Sequence, residues 1–160
     1  MVFAPQFQIY DDYVTPQEVW EDVNQFIPDD RVVWEPFYCD GSSGEILKAM
    51  GKNVIHEPVD FFQNDFGEVI VTNPPFSQKK AVMQRLKELD KPFLIIAPIF
   101  MLRTDYVREC FGGNIQLIIP RKRIQFLKFK DGVLESPKRC NFESVYYCYK
   151  WNLPRDIIFL

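Results

Sequence analysis

Residues 71–77, VTNPPFS, combine groups that could hold a reacting partner. Pro74 and Pro75 each keep the preceding residue extended, so Asn73 and Pro74 are held stiffly. Neither proline has a backbone N–H, so the segment offers carbonyl acceptors, the Asn73 amide and the ring of Phe76. A simple turn would use Asn-Gly or Asp-Gly instead. The pattern therefore predicts a binding site for a flat partner that carries an amino group.

This segment ends one of several short apolar runs that alternate with amphipathic stretches. Short apolar runs indicate buried strands, and apolar residues at three- and four-residue spacing indicate helices. The alternation predicts an α/β fold, a mainly parallel sheet with helices on both faces, and the last strands predict an antiparallel edge. Strands are expected at 31–37, 52–57, 67–73, 91–100, 114–120, 123–130 and 144–151, and helices at 15–27, 41–51, 77–89 and 104–111.

Ligands of such a sheet bind beyond the carboxyl ends of its strands. The first predicted strand ends in residues 35–44, EPFYCDGSSG, where Gly41 and Gly44 allow a tight turn close to a ligand. Gly-Ser-Ser-Gly is also an ordinary loop sequence, and it matches neither GxGxxG nor a Walker A motif. Glu57, at the end of the second strand, is an acid that could accept both hydroxyls of a ribose.

The first predicted helix carries its own start signal. Thr15 is expected as its N-cap, Pro16 at its first position and Glu18 in its first turn. The residues expected to face the core are Val19, Val23, Phe26 and Ile27.

Length and composition favour one globular domain over residues 1–160, since 47% of the residues are hydrophobic and 26% are charged. No apolar run approaches the roughly 20 residues that span a bilayer, and the start of the chain has no signal-peptide pattern. Four scattered cysteines and one histidine, His56, argue against a disulfide framework and a metal centre, so His56 is expected to be solvated or packed. The expected location is cytoplasmic or nuclear.

Positive charge is concentrated in one stretch of a chain whose net charge is −3. Residues 119–130 contain no acid, whereas the acids concentrate in residues 11–68. A basic face on an acidic protein fits contact with phosphate, although a solvated hairpin bearing lysines explains the same pattern. The cations expected to contact nucleic acid are Arg121, Lys122, Arg123, Lys128, Lys130, Lys138 and Arg139.

Three segments in this order resemble motifs of class I S-adenosylmethionine-dependent DNA adenine-N6 methyltransferases, including the small phage and virus types. EPFYCDGSSG is similar to their first motif, TNPPFS to their catalytic Asp/Asn-Pro-Pro-Phe/Tyr motif, and DDYVTPQEV to a preceding cofactor-binding segment. The first motif departs from the family pattern in having no glycine at Cys39 or Asp40. The resemblance covers residues 11–151. It implies a Rossmann-like fold, S-adenosylmethionine as cofactor, and methyl transfer to the exocyclic amino group of adenine in DNA.

The resemblance also implies how residues 73–76 would act. The Asn73 side-chain oxygen and the Pro74 carbonyl would accept the two hydrogens of the target amine, and Phe76 would stack on the base. These acceptors favour localising the amine lone pair towards the methyl group, so no base is needed before attack. The implied catalytic residues are Asn73, Pro74, Pro75 and Phe76.

Cofactor contacts are implied on all three segments. Glu35 would bind the amino group of the cofactor, directly or through water. Glu57 would hold the ribose and Asp60 would contact the adenine, but their close spacing leaves open which acid holds the ribose. One of Phe61 and Phe62 is expected to be core. The implied cofactor-binding residues are Tyr13, Thr15, Pro16, Glu35, Pro36, Phe37, Gly41, Glu57, Asp60, Phe61 and Asn73.

Other functions share these motifs. NPPF-type segments also serve enzymes that methylate adenine or guanine in RNA, or a glutamine amide in protein, because each target is a planar nitrogen. A non-catalytic partner subunit or a bare cofactor-binding module would keep the fold, but the intact NPPF argues against both. Few residues lie between 76 and 120 or after 151, so no separate target-recognition domain is expected. A homodimer, a partner subunit, or a single-stranded or mismatched substrate is therefore predicted.

Overall fold

The computed structural model describes residues 13–130, 133–135 and 142–160, without the side chains of residues 129 and 130. In chain order the strands are β1 (Tyr13–Val14), β2 (Val32–Trp34), β3 (Asn53–Ile55), β4 (Val69–Thr72), β5 (Phe93–Pro98), β6 (Ile115–Ile119), β7 (Leu127–Lys130), β8 (Val133–Glu135), β9 (Ser144–Tyr149) and β10 (Ile157–Phe159). The helices are α1 (Gln17–Glu21), α2 (Ser42–Ala49), α3 (Lys79–Leu89) and α4 (Asp105–Phe111), with 3-10 turns at Asn24–Phe26, Phe76–Gln78 and Ile99–Arg103.

Seven strands form one sheet in the order β10-β6-β9-β5-β4-β2-β3, and every pairing is parallel except the two made by β9. The Rossmann-like, mainly parallel sheet expected from the sequence is confirmed. The antiparallel strand, however, lies inside this sheet and not at its edge. Every residue of β9 is buried, so β9 needs a neighbour on each side. The edge beyond β6 is β10, which the sequence did not indicate.

Two hydrophobic clusters cover the two faces of the sheet. On one face, α1 and α2 contribute Val19, Trp20 and Leu47 to a cluster with the sheet residues Val71, Leu94 and Tyr146. On the other face, α3 and α4 contribute Met83 and Phe111 to a cluster with Ile70, Phe93 and Tyr147. Successive strand residues therefore enter opposite clusters, as the two-residue period of a strand requires. Helices on both faces are confirmed.

A separate three-stranded antiparallel sheet has the order β1-β7-β8. The predicted strand at 123–130 is regular only at Leu127–Lys130, and it joins this small sheet. It cannot extend the main sheet beside β6, because β9 and β10 already occupy both sides of β6. Within the stretch before β7, Ile124 and Phe126 are buried against the same face as α1.

The start of α1 differs from the prediction. Pro16 is its N-cap, and α1 ends at Glu21, with a 3-10 turn completing the segment. Thr15 does not cap this helix, because its hydroxyl accepts a hydrogen bond from Asn73. The short helix α4 begins at Asp105, one residue after the expected start, and Thr104 is its N-cap, since the Thr104 hydroxyl accepts from the Val107 N–H at 3.4 Å.

Among the described residues, none of the helices is both long and apolar enough to cross a membrane. The same part of the chain has no cluster of three or more His, Cys, Asp or Glu that could hold a metal ion.

Candidate active site

The site lies at the carboxyl ends of four neighbouring strands of the main sheet. Glu35 follows β2, His56 follows β3, Asn73 follows β4, and Pro98 ends β5. Because these strands are parallel, their carboxyl ends lie next to one another, and residues distant in sequence are therefore neighbours there.

Glu35 joins the ends of β2 and β4. Its carboxyl group is 2% exposed and accepts hydrogen bonds from the Phe37 N–H at 3.0 Å, the Thr72 hydroxyl and the Asn73 N–H. Burial raises the pKa of Glu35 to about 8, against the lowering effect of these donors. The predicted contact between Glu35 and a cofactor would have to compete with all three donors.

The side-chain amide of Asn73 is held on one side only. Its Nδ2 donates to the Thr15 hydroxyl at 3.0 Å. Its Oδ1 is buried and has no hydrogen-bond partner in the described part of the chain. A buried acceptor without a donor costs about 1–3 kcal/mol, so the position suits a donor from a ligand. The link to Thr15 joins residues 58 apart, and no sequence signal indicates it.

Phe76 lies in an aromatic cluster and is only 8% exposed. Ring centroids lie 4.5 Å away at Phe142, 5.8 Å at Phe126 and 6.0 Å at Tyr13, all in edge-to-face contact. Stacking of a base on Phe76 therefore requires Tyr13 or Phe142 to move off the ring.

The loop between β2 and α2 has two residues in the left-handed region of backbone conformation. Gly41 has φ +84° and Cys39 has φ +51°, both in the left-handed region. Asp40 stabilises the turn, because its Oδ1 accepts from the Ser42 N–H at 3.0 Å and from the Ser42 hydroxyl at 2.6 Å. The loop thus turns sharply without the additional glycine of the related motif.

Gly44 is needed for packing. A Cβ atom at Gly44 would lie 2.3 Å from the ring of His56. His56 Nδ1 lies 2.8 Å from the Glu35 carbonyl, so Nδ1 carries the hydrogen of this bond. Burial lowers the pKa of His56, and its ring stacks on Tyr38 at 4.9 Å. His56 is therefore a packed, neutral histidine.

The two acids after β3 differ in their surroundings. Glu57 is exposed. Asp60 is half-buried, and its Oδ1 accepts from the Phe62 N–H at 2.9 Å, which fixes a turn. Phe61 is 2% exposed and packs on Phe37 at 5.0 Å, so Phe61 belongs to the core. Glu57 is thus the acid more accessible to a ribose, while Phe61 reaches a cofactor only if the core opens.

The remaining predicted positions are distributed around this edge. Pro16 and Pro36 are buried, and Pro74 is buried directly beside Asn73. Pro75 is half-buried and begins the 3-10 turn of Phe76–Gln78.

The predicted basic residues follow β6. Arg121 and Lys122 are exposed, whereas Arg123 is half-buried with its Nε buried and without a partner among the described residues. Lys128 Nζ lies 5.5 Å from the ring centroid of Tyr13. The side chain of Lys130, and Lys138 and Arg139 entirely, fall outside the described residues.

A surface cavity of about 480 Å³ lies on the side of the sheet opposite these carboxyl ends. Gly113, Asn114, Gln116 and Asp156 line it, close to the start of β6. The Gln116 amide is held by the backbone of residues 153 and 155 and by Asp156, so the local chain already satisfies it. The Oδ1 of Asn73, which lacks a donor within the described part of the chain, is at the other end of the strands, and we place the site there.

No model of a known protein family matches this chain, and no curated protein matches it in sequence. Among solved structures, it is similar to precorrin-6y C5,15-methyltransferase from Geobacter metallireducens GS-15, at 14% identity and a TM-score of 0.47, over 89% of this chain and 98% of that one. It is also similar to TrmN from Thermus thermophilus, at 11% identity and a TM-score of 0.37, over 83% of this chain and 47% of that one. Both are similarities of backbone path.

Proposed function

We propose that this chain transfers a methyl group from S-adenosylmethionine to the exocyclic amino nitrogen of adenine in DNA. The observation that carries the proposal is the buried Oδ1 of Asn73, which no donor of the described residues reaches. An acceptor in this state favours a ligand that brings an N–H donor.

The chemistry of an aromatic amine explains why acceptors at this place would matter. The nitrogen lone pair is delocalised into the ring, so the amine is a poor nucleophile. Asn73 Oδ1 and the carbonyl of Pro74 would accept its two hydrogens and orient the lone pair outward. The Thr15 hydroxyl keeps the Asn73 amide from rotating, because it accepts from Nδ2. Catalysis would then rest on positioning by preformed groups.

The residues around the loop of Cys39 and Gly41 fit the proposed cofactor. Gly41 has φ +84°, and a Cβ there would lie 2.9 Å from the Tyr38 hydroxyl, so only glycine keeps this turn beside the Tyr38 ring. Glu57 is exposed at the end of β3. When bound, S-adenosylmethionine supplies an electrophilic methyl group. Glu57 would hold its ribose, and the backbone around Gly41 would hold its methionine part.

The distribution of charge along the site edge supports a nucleic-acid substrate. The loops after β2 and β3 carry the acids Asp40, Glu57 and Asp60, and the start of α3 and the segments after β5 and β6 carry exposed cations. The half of the site with these cations also has two acids, Asp105 and Glu143. The exposed cations are Lys80, Arg103, Arg121 and Lys122. A phosphate backbone would bind along this half, leaving the acidic half for the cofactor.

We further propose that target recognition needs a second copy of the chain or a partner subunit, or else a single-stranded or mismatched target. Flipping a base out of a duplex costs a few kcal/mol, which a small contact surface offsets poorly.

The test is methyl transfer from labelled S-adenosylmethionine to DNA, RNA and protein, followed by digestion of the product and identification of the modified base by mass. N6-methyladenine from DNA is the expected product. A labelled RNA base would move the substrate to RNA, and label in protein alone would overturn the nucleic-acid assignment.

A further inference from the structure

The 3-10 turn that follows β5 exposes an apolar surface beside the candidate site. Ile99, Phe100 and Leu102 are 43%, 58% and 41% exposed, whereas Met101 between them is buried. We call these three exposed side chains the Phe100 ledge. Exposed apolar residues that cluster in this way mark contact surfaces more often than isolated ones do.

Lys79 connects the ledge to the NPPF segment. Its Nζ donates to the carbonyl of Phe76 at 2.8 Å and lies 5.9 Å from the ring centroid of Phe100. The neighbouring Lys80 and Arg103 are exposed cations, and Asp105 is the nearby acid at the start of α4. An exposed aromatic ring therefore lies beside Lys79, which also binds the NPPF segment through the Phe76 carbonyl.

An aromatic ring with neighbouring cations matches the chemistry of a nucleotide in a single strand. The base presents a flat face for the ring, and the phosphate presents a negative charge for the cations. In a duplex both faces of a base are covered by stacking, so a free ring has no face to meet. A partner protein with an apolar surface would instead cover the exposed apolar side chains with its own apolar atoms. It would leave the neighbouring cations without a negative partner.

We propose, on the basis of the function proposed above, that the Phe100 ledge binds the base adjacent to the target adenine in single-stranded nucleic acid. Phe100 stacks on that base, and Lys80 and Arg103 lie along the phosphates. The ledge is a binding element and takes no part in the methyl-transfer chemistry.

The experiment uses single-stranded DNA and RNA oligonucleotides that carry 2-aminopurine next to one adenine, since stacking quenches its fluorescence. The full chain is compared with Phe100→Ala, Phe100→Trp and a matched control, Phe159→Ala. Phe159 is also an exposed phenylalanine, 77% exposed on the far edge strand β10. We expect Phe100→Ala to weaken binding by about 5- to 100-fold and to lose the quench, while Phe100→Trp and Phe159→Ala retain both.

Oligonucleotide binding is measured without methyl transfer, so the experiment can refute the ledge and the proposed function independently of each other. Quenching that depends on Phe100, in a protein that methylates no base, would refute the proposed function and leave the ledge as a nucleic-acid site. Equal binding by Phe100→Ala and Phe159→Ala would overturn the ledge, even in an active methyltransferase. A change in oligomeric state in Phe100→Ala, with oligonucleotide binding unchanged, would also overturn it and assign the ledge to a protein contact.

Discussion

The hydroxyl of Thr72, the last residue of β4, donates a hydrogen bond to the carboxyl group of Glu35, which directly follows β2. Both residues are buried, at 0% and 2% exposed. The bond ties the strand that leads into NPPF to the strand that leads into the glycine loop. A change in the charge of Glu35 therefore affects both the NPPF segment and the glycine loop.

Glu35→Gln should flatten the pH dependence of stability. The pKa of Glu35 is about 8 in the folded protein and 4.5 ordinarily, so the unfolded chain loses this proton first as the pH rises. Between these values the free energy of unfolding should fall by about 1.4 kcal/mol per pH unit through Glu35 alone. Gln does not titrate and can still accept from Thr72. Denaturant unfolding at about pH 5.5, 7 and 8.5 measures the difference.

The comparison between wild type and Glu35→Gln isolates this group. His56, whose pKa is lowered, acts in the opposite direction below its ordinary pKa of 6.5, but it is present in both proteins. Parallel stability profiles for the two proteins would contradict a raised pKa at Glu35.

Asn73→Ala should reduce turnover by on the order of 10²-fold or more, because it removes one of the two proposed acceptors at the reacting nitrogen. Binding of S-adenosylmethionine, measured by calorimetry, should change far less. Asn73→Asp should be milder, since a carboxylate still accepts. Asn114→Ala, at the opposite edge of the sheet, is the control. Near-normal turnover in Asn73→Ala would rule out the proposed role.

Phe76→Ala should lower the free energy of unfolding by about 3–5 kcal/mol, because the ring is 8% exposed and contacts Tyr13, Phe126 and Phe142. Phe76→Tyr should keep most of this stability. Phe159→Ala, which removes an exposed ring, should change the melting temperature little. A Phe76→Ala protein that is as stable as wild type but fails to bind a base would show a stacking platform and not a core residue.

Gly44→Ala should destabilise the protein by about 1–3 kcal/mol, since its Cβ would collide with the His56 ring. Gly113→Ala is the matched control, because a Cβ there meets nothing within 4 Å. Melting temperatures of the two variants decide the question. Equal melting temperatures would mean that His56 can move aside.

Neutralising Arg121 should reduce the slope of log affinity against log salt concentration by about one, if Arg121 contacts a phosphate. Arg155→Ala removes another exposed arginine, just before β10, and should leave the slope unchanged. Binding to one oligonucleotide over a series of salt concentrations gives both slopes. An unchanged slope in Arg121→Ala would place the phosphates elsewhere.

The sequence by itself determined the alternation of helices and strands in the main sheet. Apolar spacing is a local property, so β2 to β6 and β9 were all found where the pattern predicted them. The placement of Asn73, Glu35 and Glu57 at one edge also followed, because parallel strands share their carboxyl edge.

Only the tertiary structure decided what those residues touch. The sequence indicates a helix cap at Thr15, yet its hydroxyl accepts from Asn73, because the segment around β1 lies beside the end of β4. Glu35 reads as a ligand contact, yet it is buried under three donors of the chain itself. The position of β9 inside the sheet likewise depends on its pairing with β5 on one side and with β6 on the other. Such contacts join residues far apart in sequence, and no local pattern encodes which of them meet.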